Sequence, residues 1–134
     1  MLLGLGQDRE DTFGLLVNRI FHIASREDWA SAQSVGEYRT STRGLSLDDV
    51  GFIHCARRDQ VEGVANTFYR GASDLVLLEI DRQSVGVDVV EEVPEGEDDA
   101  FPHVYGPLNV DAVIAVHPFP RGEDGRFVLP QGLG

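Results

Sequence analysis

The alternation of apolar and polar positions divides the chain into short strands and two helices. Residues 19–24 alternate, so that Ile20, His22 and Ala24 point to one face of a strand and the residues between them to the other. Residues 75–80 form the most continuously apolar run, which predicts a central strand buried on both faces. Further strands are predicted at residues 85–91, 112–117 and 126–129.

Capping and spacing signals predict the two helices. Ser25 and Asp28 have the spacing of a capping box, with aspartate in place of the usual glutamate, and they open a helix that runs to about residue 34 before Gly36. The second helix is predicted to end near residue 71, because Val64 and Phe68 recur at helical spacing. Between the helices, residues 41–49 are polar enough to predict a loop across the front of the molecule.

A short apolar run at residues 51–55 leads directly into the second helix. A strand that meets a helix in this way leaves its last side chains at the edge of the sheet, beside the free backbone N–H groups of the first helical turn. His54 and Cys55, the chain's one cysteine, stand at that exit. The run is therefore a candidate site for chemistry as well as for packing.

The order of these elements predicts an α+β domain rather than a doubly wound parallel sheet. With 134 residues, of which 42% are hydrophobic, the chain fits one core. We expect a flexible N-terminal extension over residues 1–18, a single domain over residues 19–130 and a tail over residues 131–134.

The net charge of the chain limits the classes of molecule that we expect it to bind. The formal net charge is −12, and all eleven basic residues are arginine. This balance repels a phosphate backbone at long range, so general nucleic-acid binding is not expected. Residues 26–58 are locally balanced in charge, however, and would tolerate a small anionic ligand. A single cysteine, no convincing signal peptide and no apolar run of about 20 residues predict a cytoplasmic protein that does not enter a membrane.

Three of the four histidines stand in hydrophobic or proline-bounded settings, whereas His117 looks incidental at the end of a strand beside Pro118. If the strands bearing His22 and His54 are adjacent, and the turn bearing His103 folds over them, a pocket lined by imidazoles and Tyr105 results. A zinc site is an alternative, although the chain lacks ligand pairs at tight spacing. Cys55 is better explained as a small buried hydrophobe, since its neighbour in a strand points to the opposite face.

The start of the second helix carries two further candidate ligand-binding residues, Arg57 and Gln60. An arginine there opposes the helix dipole, which is unfavourable for stability alone and would suit a ligand phosphate instead. Gln60 is also consistent with an ordinary exposed helical position.

Taken together, several motifs resemble the bacterial family called domain of unknown function 952 (DUF952), over about residues 19–129. The residues that carry the resemblance are Ile20-Phe21-His22-Ile23, Trp29, Gly36 with Tyr38, Gly51-Phe52-Ile53-His54-Cys55, Gln60, and Phe101-Pro102-His103-Val104-Tyr105-Gly106-Pro107-Leu108. The blocks around His54 and His103 are the most specific.

That family is distantly similar to the ADP-ribosyltransferase and RNA 2′-phosphotransferase fold group. The resemblance implies split, bent, small sheets with two main helices and NAD, a candidate substrate, in the cleft. It also implies that His22 grips the NAD ribose, that His54 lies beside the nicotinamide, and that the His103 to Tyr105 turn stands where transferases keep a glutamate or glutamine. This chain has neither residue in that block, so ordinary protein ADP-ribosylation is not implied.

The candidate catalytic residues are therefore His22, His54 and His103, with Tyr105, Tyr38, Arg57 and Gln60 as candidate ligand-binding residues. An imidazole that titrates near neutral pH could deprotonate a hydroxyl or protonate a phosphate oxygen. No cofactor is firmly predicted. Whether the domain is a transferase-like enzyme, a non-catalytic binding module of the same fold or a zinc-dependent hydrolase stays open at this point, as does its oligomeric state.

Overall fold

The first sheet is built around the strand predicted to be central. The computed structural model describes residues 18–133, and in it β6 (Leu75–Asp81) lies between β1 (Arg19–Ser25) and β10 (Val113–Pro118). Both neighbours are antiparallel to β6. Leu77 and Leu78 are fully buried on opposite faces of β6, which confirms the sequence prediction.

A second three-stranded sheet carries two of the candidate histidines. In it, β8 (Phe101–Val104) lies between β5 (Ile53–His54) and β7 (Val89–Glu92), again with antiparallel pairing. His54 and Val90 are the direct cross-strand neighbours of His103. Paired residues share one face of a sheet, so the two imidazoles lie on the same side.

Two pairs of very short strands and three helices complete the architecture. The strand pairs are β2 (Glu37–Tyr38) with β9 (Leu108–Asn109), and β3 (Thr40–Thr42) with β4 (Leu45–Ser46). The helices are α1 (Arg26–Val35), the single-turn α2 (Leu47–Val50) and α3 (Val61–Phe68), and 3-10 turns occupy Arg58–Gln60, Arg82–Ser84 and Val110–Ala112. The protein is thus α+β with small antiparallel sheets and few helices.

The first helix begins and ends at the residues that the sequence indicated. The side chain of Ser25 accepts a hydrogen bond from the backbone N–H of Asp28, and Gly36 ends α1 in the left-handed conformation. α2 has a complete capping box, in which Ser46 and Asp49 satisfy each other's backbone N–H groups. These caps fix both ends of the β2 to β4 segment.

The core consists of two clusters on the two faces of the first sheet. One packs that sheet against α1 and against Ile53 and Val104 from the buried face of the second sheet. The other packs it against α3, Phe119 and Phe127. The second sheet therefore has one face in the core, and its other face, which bears His54 and His103, is left to form a site.

Several predicted boundaries were wrong in instructive ways. Residues 126–129 form no strand, because the backbone N–H of Phe127 donates to the side chain of Asn66 instead of to a neighbouring strand. Residues 41–49 contain parts of a hairpin and a helical turn rather than a loop alone, and the strand predicted from residue 85 begins at Val89. Leu133, in the expected tail, is buried in the second cluster.

Replacing Gly106 by alanine should lower the free energy of unfolding by about 2–4 kcal/mol. Gly106 has a φ of +155°, and an added Cβ would lie 2.8 Å from Cγ1 of Val87. In urea unfolding, Val87→Ala in the same chain should recover the steric part of the loss. Gly96→Ala is the control, because its φ is +85° but its added Cβ meets nothing within 4 Å. Equal losses at both glycines would contradict the steric account.

Candidate functional site

The exposed face of the second sheet forms the floor of a cavity of about 540 Å³. The hairpin of β3 and β4, helix α3 and the acidic loop after β7 form its walls. The lining residues are Ser41, Thr42, Arg43, Leu45, Val50, Phe52, His54, Val64, Phe68, Pro94, Glu95, Glu97, Phe101 and His103. Its volume lies within the range of small-molecule binding sites, and its walls are largely apolar, as such sites usually are.

Strand pairing places four of the lining rings together. Phe52 and His54 alternate along one face of the chain at β5, and Phe101 and His103 do the same along β8. The ring of Phe52 stacks on that of His103, with centroids 3.9 Å apart and planes 15° apart. The centroids of the His54 and His103 rings are 5.5 Å apart. The structure thus brings His54 and His103 together, as the sequence suggested.

His103 is held by a carboxylate that the sequence analysis missed. Its Nδ1 lies 2.8 Å from Oε1 of Glu92, and the hydroxyl of Tyr105 donates to the same oxygen. The hydrogen bonds from Tyr105 and then from His103 hold the pKa of Glu92 below its usual range. Because an ionised carboxylate only accepts, Nδ1 of His103 donates, and in the neutral ring Nε2 carries the free lone pair.

Two buried polar atoms at this cavity have no hydrogen-bond partner within residues 18–133. They are Nε2 of His103, a residue that is only 3% exposed, and Oγ of Ser41, which is fully buried. A buried polar group without a partner costs roughly 1–3 kcal/mol. Since both atoms belong to residues that line the cavity, a bound molecule could satisfy them.

His54 is a weaker base than the sequence suggested. Burial, followed by the neighbouring His22 and His103, lowers its pKa to about 4. The expectation that this imidazole titrates near neutral pH is therefore corrected. At pH 7 the ring is neutral and offers an aromatic surface and hydrogen-bonding nitrogens, but no positive charge.

His22 lies behind the site rather than in its lining. It is 2% exposed, with Nδ1 2.6 Å from the carbonyl oxygen of His54 and Nε2 2.9 Å from the hydroxyl of Tyr38. A carbonyl only accepts, so Nδ1 donates to it and Nε2 accepts from Tyr38. Desolvation by burial, against the hydrogen bond to His54, lowers the pKa of His22 to about 4. The His22 and Tyr38 pair holds the backbone of β5 in place.

Arg57 and Gln60 are used to hold the acidic loop and do not line the cavity. The guanidinium of Arg57 donates to the carbonyl of Ala100 at 2.8 Å and to the carboxylate of Asp99 at 2.9 Å. The side-chain amide of Gln60 donates to the same two groups, and its oxygen accepts from the backbone N–H of Arg57. Gln60 is buried, not exposed as the sequence allowed. These contacts fix the loop that brings Glu95 and Glu97 to the mouth of the cavity.

The remaining singled-out residues lie at the margin of the site or outside it. Tyr105 is 40% exposed and outside the lining, with its ring centroid 5.5 Å from that of Phe52. Cys55 is buried, and desolvation raises the pKa of its thiol, consistent with a core residue. His117, which looked incidental, lies 2.8 Å through Nε2 from Oε1 of Glu79 on the neighbouring strand.

A smaller polar cavity adjoins the first one. It measures about 310 Å³ and is lined largely by hydroxyl-bearing side chains, among them Tyr38, Thr40 and Tyr69. Thr42 and Arg43 line both cavities, so the β3 to β4 hairpin divides them. The guanidinium of Arg43 donates to the carbonyl of Arg70 at 3.0 Å.

The described part of the chain shows neither a group of side chains that could hold a metal ion nor a helix that could span a membrane. Within residues 18–133, no group of three or more histidine, cysteine, aspartate or glutamate side chains is arranged to hold a metal ion. No helix in this range is long and apolar enough to cross a bilayer.

Sequence comparison and structure comparison lead to uncharacterised proteins. The sequence model of a family described as "Protein of unknown function (DUF952)" matches residues 23–116. A crystal structure of protein CC0527 from Caulobacter crescentus is 32% identical, with a TM-score of 0.72, and the match covers 83% of this chain and 94% of that one. A solution NMR structure of the same protein gives a TM-score of 0.68 at 32% identity, over 81% and 90% of the two chains. No curated protein matches the chain.

Proposed function

The chain belongs to the DUF952 family, and from the geometry of its site we propose that it binds a small ring-containing molecule of the nucleotide or NAD type in the cavity of His54 and His103. One observation carries the proposal: the buried Nε2 of His103 lacks a partner, although Glu92 holds the ring rigidly from its other nitrogen. A fixed acceptor of this kind suits a ligand hydrogen bond, and Phe52 and Phe101 suit a flat ring.

His103 is the residue that we propose to move a proton. A base oriented by a carboxylate through its far nitrogen is a recurring arrangement in acid and base catalysis, and here Glu92 is the orienting group. Glu92 lies outside the lining of the cavity, so its role in this proposal is to orient His103. This arrangement supports a transferase-like reaction of the ADP-ribosyltransferase type. In it the bond between the ribose carbon and the nicotinamide nitrogen of NAD would break with nicotinamide leaving, positive charge would develop on the ribose, and a hydroxyl oxygen would bond to that carbon while His103 takes the hydroxyl proton.

A non-catalytic binding module is the second candidate. The observation that favours it is that His22 has both ring nitrogens engaged within the fold, so only part of the predicted catalytic set faces the cavity. A module of this kind would bind the same molecules without changing them. The zinc-dependent hydrolase is not supported by the grouping of side chains in the described residues.

Thermal unfolding with NAD, ADP-ribose, nicotinamide, AMP and zinc chloride tests the proposal. At about 100 times the dissociation constant, a true ligand adds about 2.7 kcal/mol to the free energy of unfolding. We expect such a gain with at least one of the ring compounds. In His103→Gln the affinity for that compound should fall at least about tenfold, and the gain in the free energy of unfolding should fall with it. His117→Gln is the matched control, because His117 also hydrogen-bonds a glutamate but lies outside the cavity.

The outcomes separate the candidates. Release of nicotinamide from NAD that depends on both His103 and Glu92 would identify an enzyme, whereas binding without turnover would identify a module. If no ring compound stabilises the protein, or if His103→Gln keeps the full gain, the proposed site is wrong. Stabilisation by zinc alone would return the hydrolase to consideration.

A further inference from the structure

We infer that the cavity selects molecules whose ring carries a positive charge. This inference rests on the ring-binding role proposed above. The ligand class is a cationic nitrogen heterocycle, or a compound that contains one. Three independent features of the cavity carry the inference: the charges at its mouth, the aromatic side chains in its walls and the unpartnered acceptor at its floor.

The formal charges around the cavity are predominantly negative. Glu95 and Glu97 line it, against the single cation Arg43. Burial lowers the pKa of His54 to about 4, so this imidazole adds no positive charge at neutral pH. The chain as a whole has a formal charge of −12. A potential of this sign concentrates cations and repels anions at the entrance.

Three phenylalanine side chains line the same space. Phe52 and Phe101 contribute to the floor, and Phe68 stands on the wall formed by α3, where it is 54% exposed. The faces of aromatic rings attract cations by about 0.5–2 kcal/mol, more where water is excluded. A charged heterocycle gains from both the rings and the carboxylates, whereas a neutral one gains only from the rings.

The unpartnered Nε2 of His103 points to the same ligand class. Nδ1 of this ring donates to Glu92, so Nε2 is an acceptor and cannot donate to a ligand anion in the neutral state. The carboxylate of Glu92 behind the ring adds negative potential on this side of the cavity. An acceptor of this kind favours a carboxamide N–H or another donor attached to an electron-poor ring.

Arg43 lies on the side that the two cavities share. One of its guanidinium nitrogens donates to the carbonyl of Arg70, which turns part of this charge away from the large cavity. The cationic ring is therefore placed on the side of Glu95 and Glu97. An anionic substituent of the same molecule, such as a phosphate, would lie toward Arg43 and the polar cavity.

A pair of isosteric compounds tests the inference directly. The probe is 1-methylnicotinamide, which is permanently cationic, and its neutral counterpart is 3-methylbenzamide, in which carbon replaces the charged ring nitrogen. Binding to the full chain is measured at low ionic strength by NMR titration, followed at the signals of the residues that line the cavity. We expect the cation to bind about tenfold tighter, and we expect this ratio to shrink as salt is added.

The double variant Glu95→Gln with Glu97→Gln should reduce that ratio to about threefold or less, leaving the contribution of the rings. Glu27→Gln with Glu123→Gln removes the same formal charge at exposed positions outside the cavity and should keep the ratio. Equal binding of the two compounds would overturn the inference and leave the proposed function standing. A preference that keeps its full size of about tenfold in the Glu95 and Glu97 double variant would also overturn it. Failure of both compounds to bind the cavity would also overturn the inference, whereas the proposed function fails only if none of the nucleotide and ring compounds of the thermal unfolding test stabilises the protein.

Discussion

His22→Ala is expected to lower the free energy of unfolding by about 3–5 kcal/mol. The substitution removes two hydrogen bonds inside the core, and it leaves the carbonyl of His54 without its imidazole donor. It also leaves a cavity the size of an imidazole between the two sheets. Urea unfolding followed by tryptophan fluorescence measures the loss, because Trp29, the chain's one tryptophan, is buried in the adjoining cluster.

Two further variants separate this structural role from a role in ligand binding. Tyr38→Phe removes one hydrogen bond and should cost about 1–2 kcal/mol. His117→Ala, at a partly exposed strand position, should cost less than His22→Ala. If His22→Ala were as stable as His117→Ala and yet abolished the gain from a bound ligand, His22 would act on the ligand as the family resemblance implies.

The first strand, the central strand and the first helix could be predicted from the sequence because each depends on local signals. Residues 75–80 are apolar at every position except Glu79, and burial on both faces explains such a run. The alternation around His22 also placed it correctly on the face opposite Phe21, as the pairing with β6 shows. The Ser25 cap and Gly36 needed no information from the rest of the fold.

The composition of the site could be predicted only in part, because it depends on register between distant strands. His54 and His103 are 49 positions apart, and nothing local states that they are direct cross-strand neighbours. Glu92 reaches His103 diagonally across the β7 and β8 pair, so an apparently ordinary acidic strand end becomes part of the site. The alternation over residues 85–91 was the available signal, but it did not include Glu92 and did not identify the partner strand.

Side chains that look alike in sequence were separated by their hydrogen-bond partners. His22 and His103 both follow apolar strand residues and both are buried, yet one has both nitrogens satisfied within the fold and the other has Nε2 unpartnered. Likewise, Arg57 looked available to a phosphate until the structure showed that Asp99 and the carbonyl of Ala100 occupy its guanidinium. Partners of this kind are tertiary facts that single-residue chemistry does not reveal.

Acidification from pH 7 to pH 5 is expected to destabilise the protein by about 2 kcal/mol or more. His22 and His54 have pKa values of about 4 in the folded state, against 6.5 as the ordinary value. Between these limits the unfolded chain binds more protons, so stability is complete above pH 6.5 and is lost as the pH falls toward 4. For each unit by which the pH falls in this range, one buried histidine lowers the free energy of unfolding by up to about 1.4 kcal/mol, and the partly exposed His54 lowers it by less.

The sign of this pH dependence distinguishes the titration of buried histidines from the effect of the net charge on stability. Protonating a chain of formal charge −12 relieves repulsion, which by itself would stabilise the compact state on acidification. Urea unfolding is measured at intervals from pH 7 to pH 5. This pH range lies above the ordinary pKa values of the carboxylates, so the measured change in stability comes from the histidines. His54→Gln should flatten the profile by the share that His54 contributes. A stability that stays flat or rises on acidification of the wild type would mean that His22 and His54 accept protons in the folded state. Positive charge on His54 would then remove one of the supports for a cavity that attracts cations.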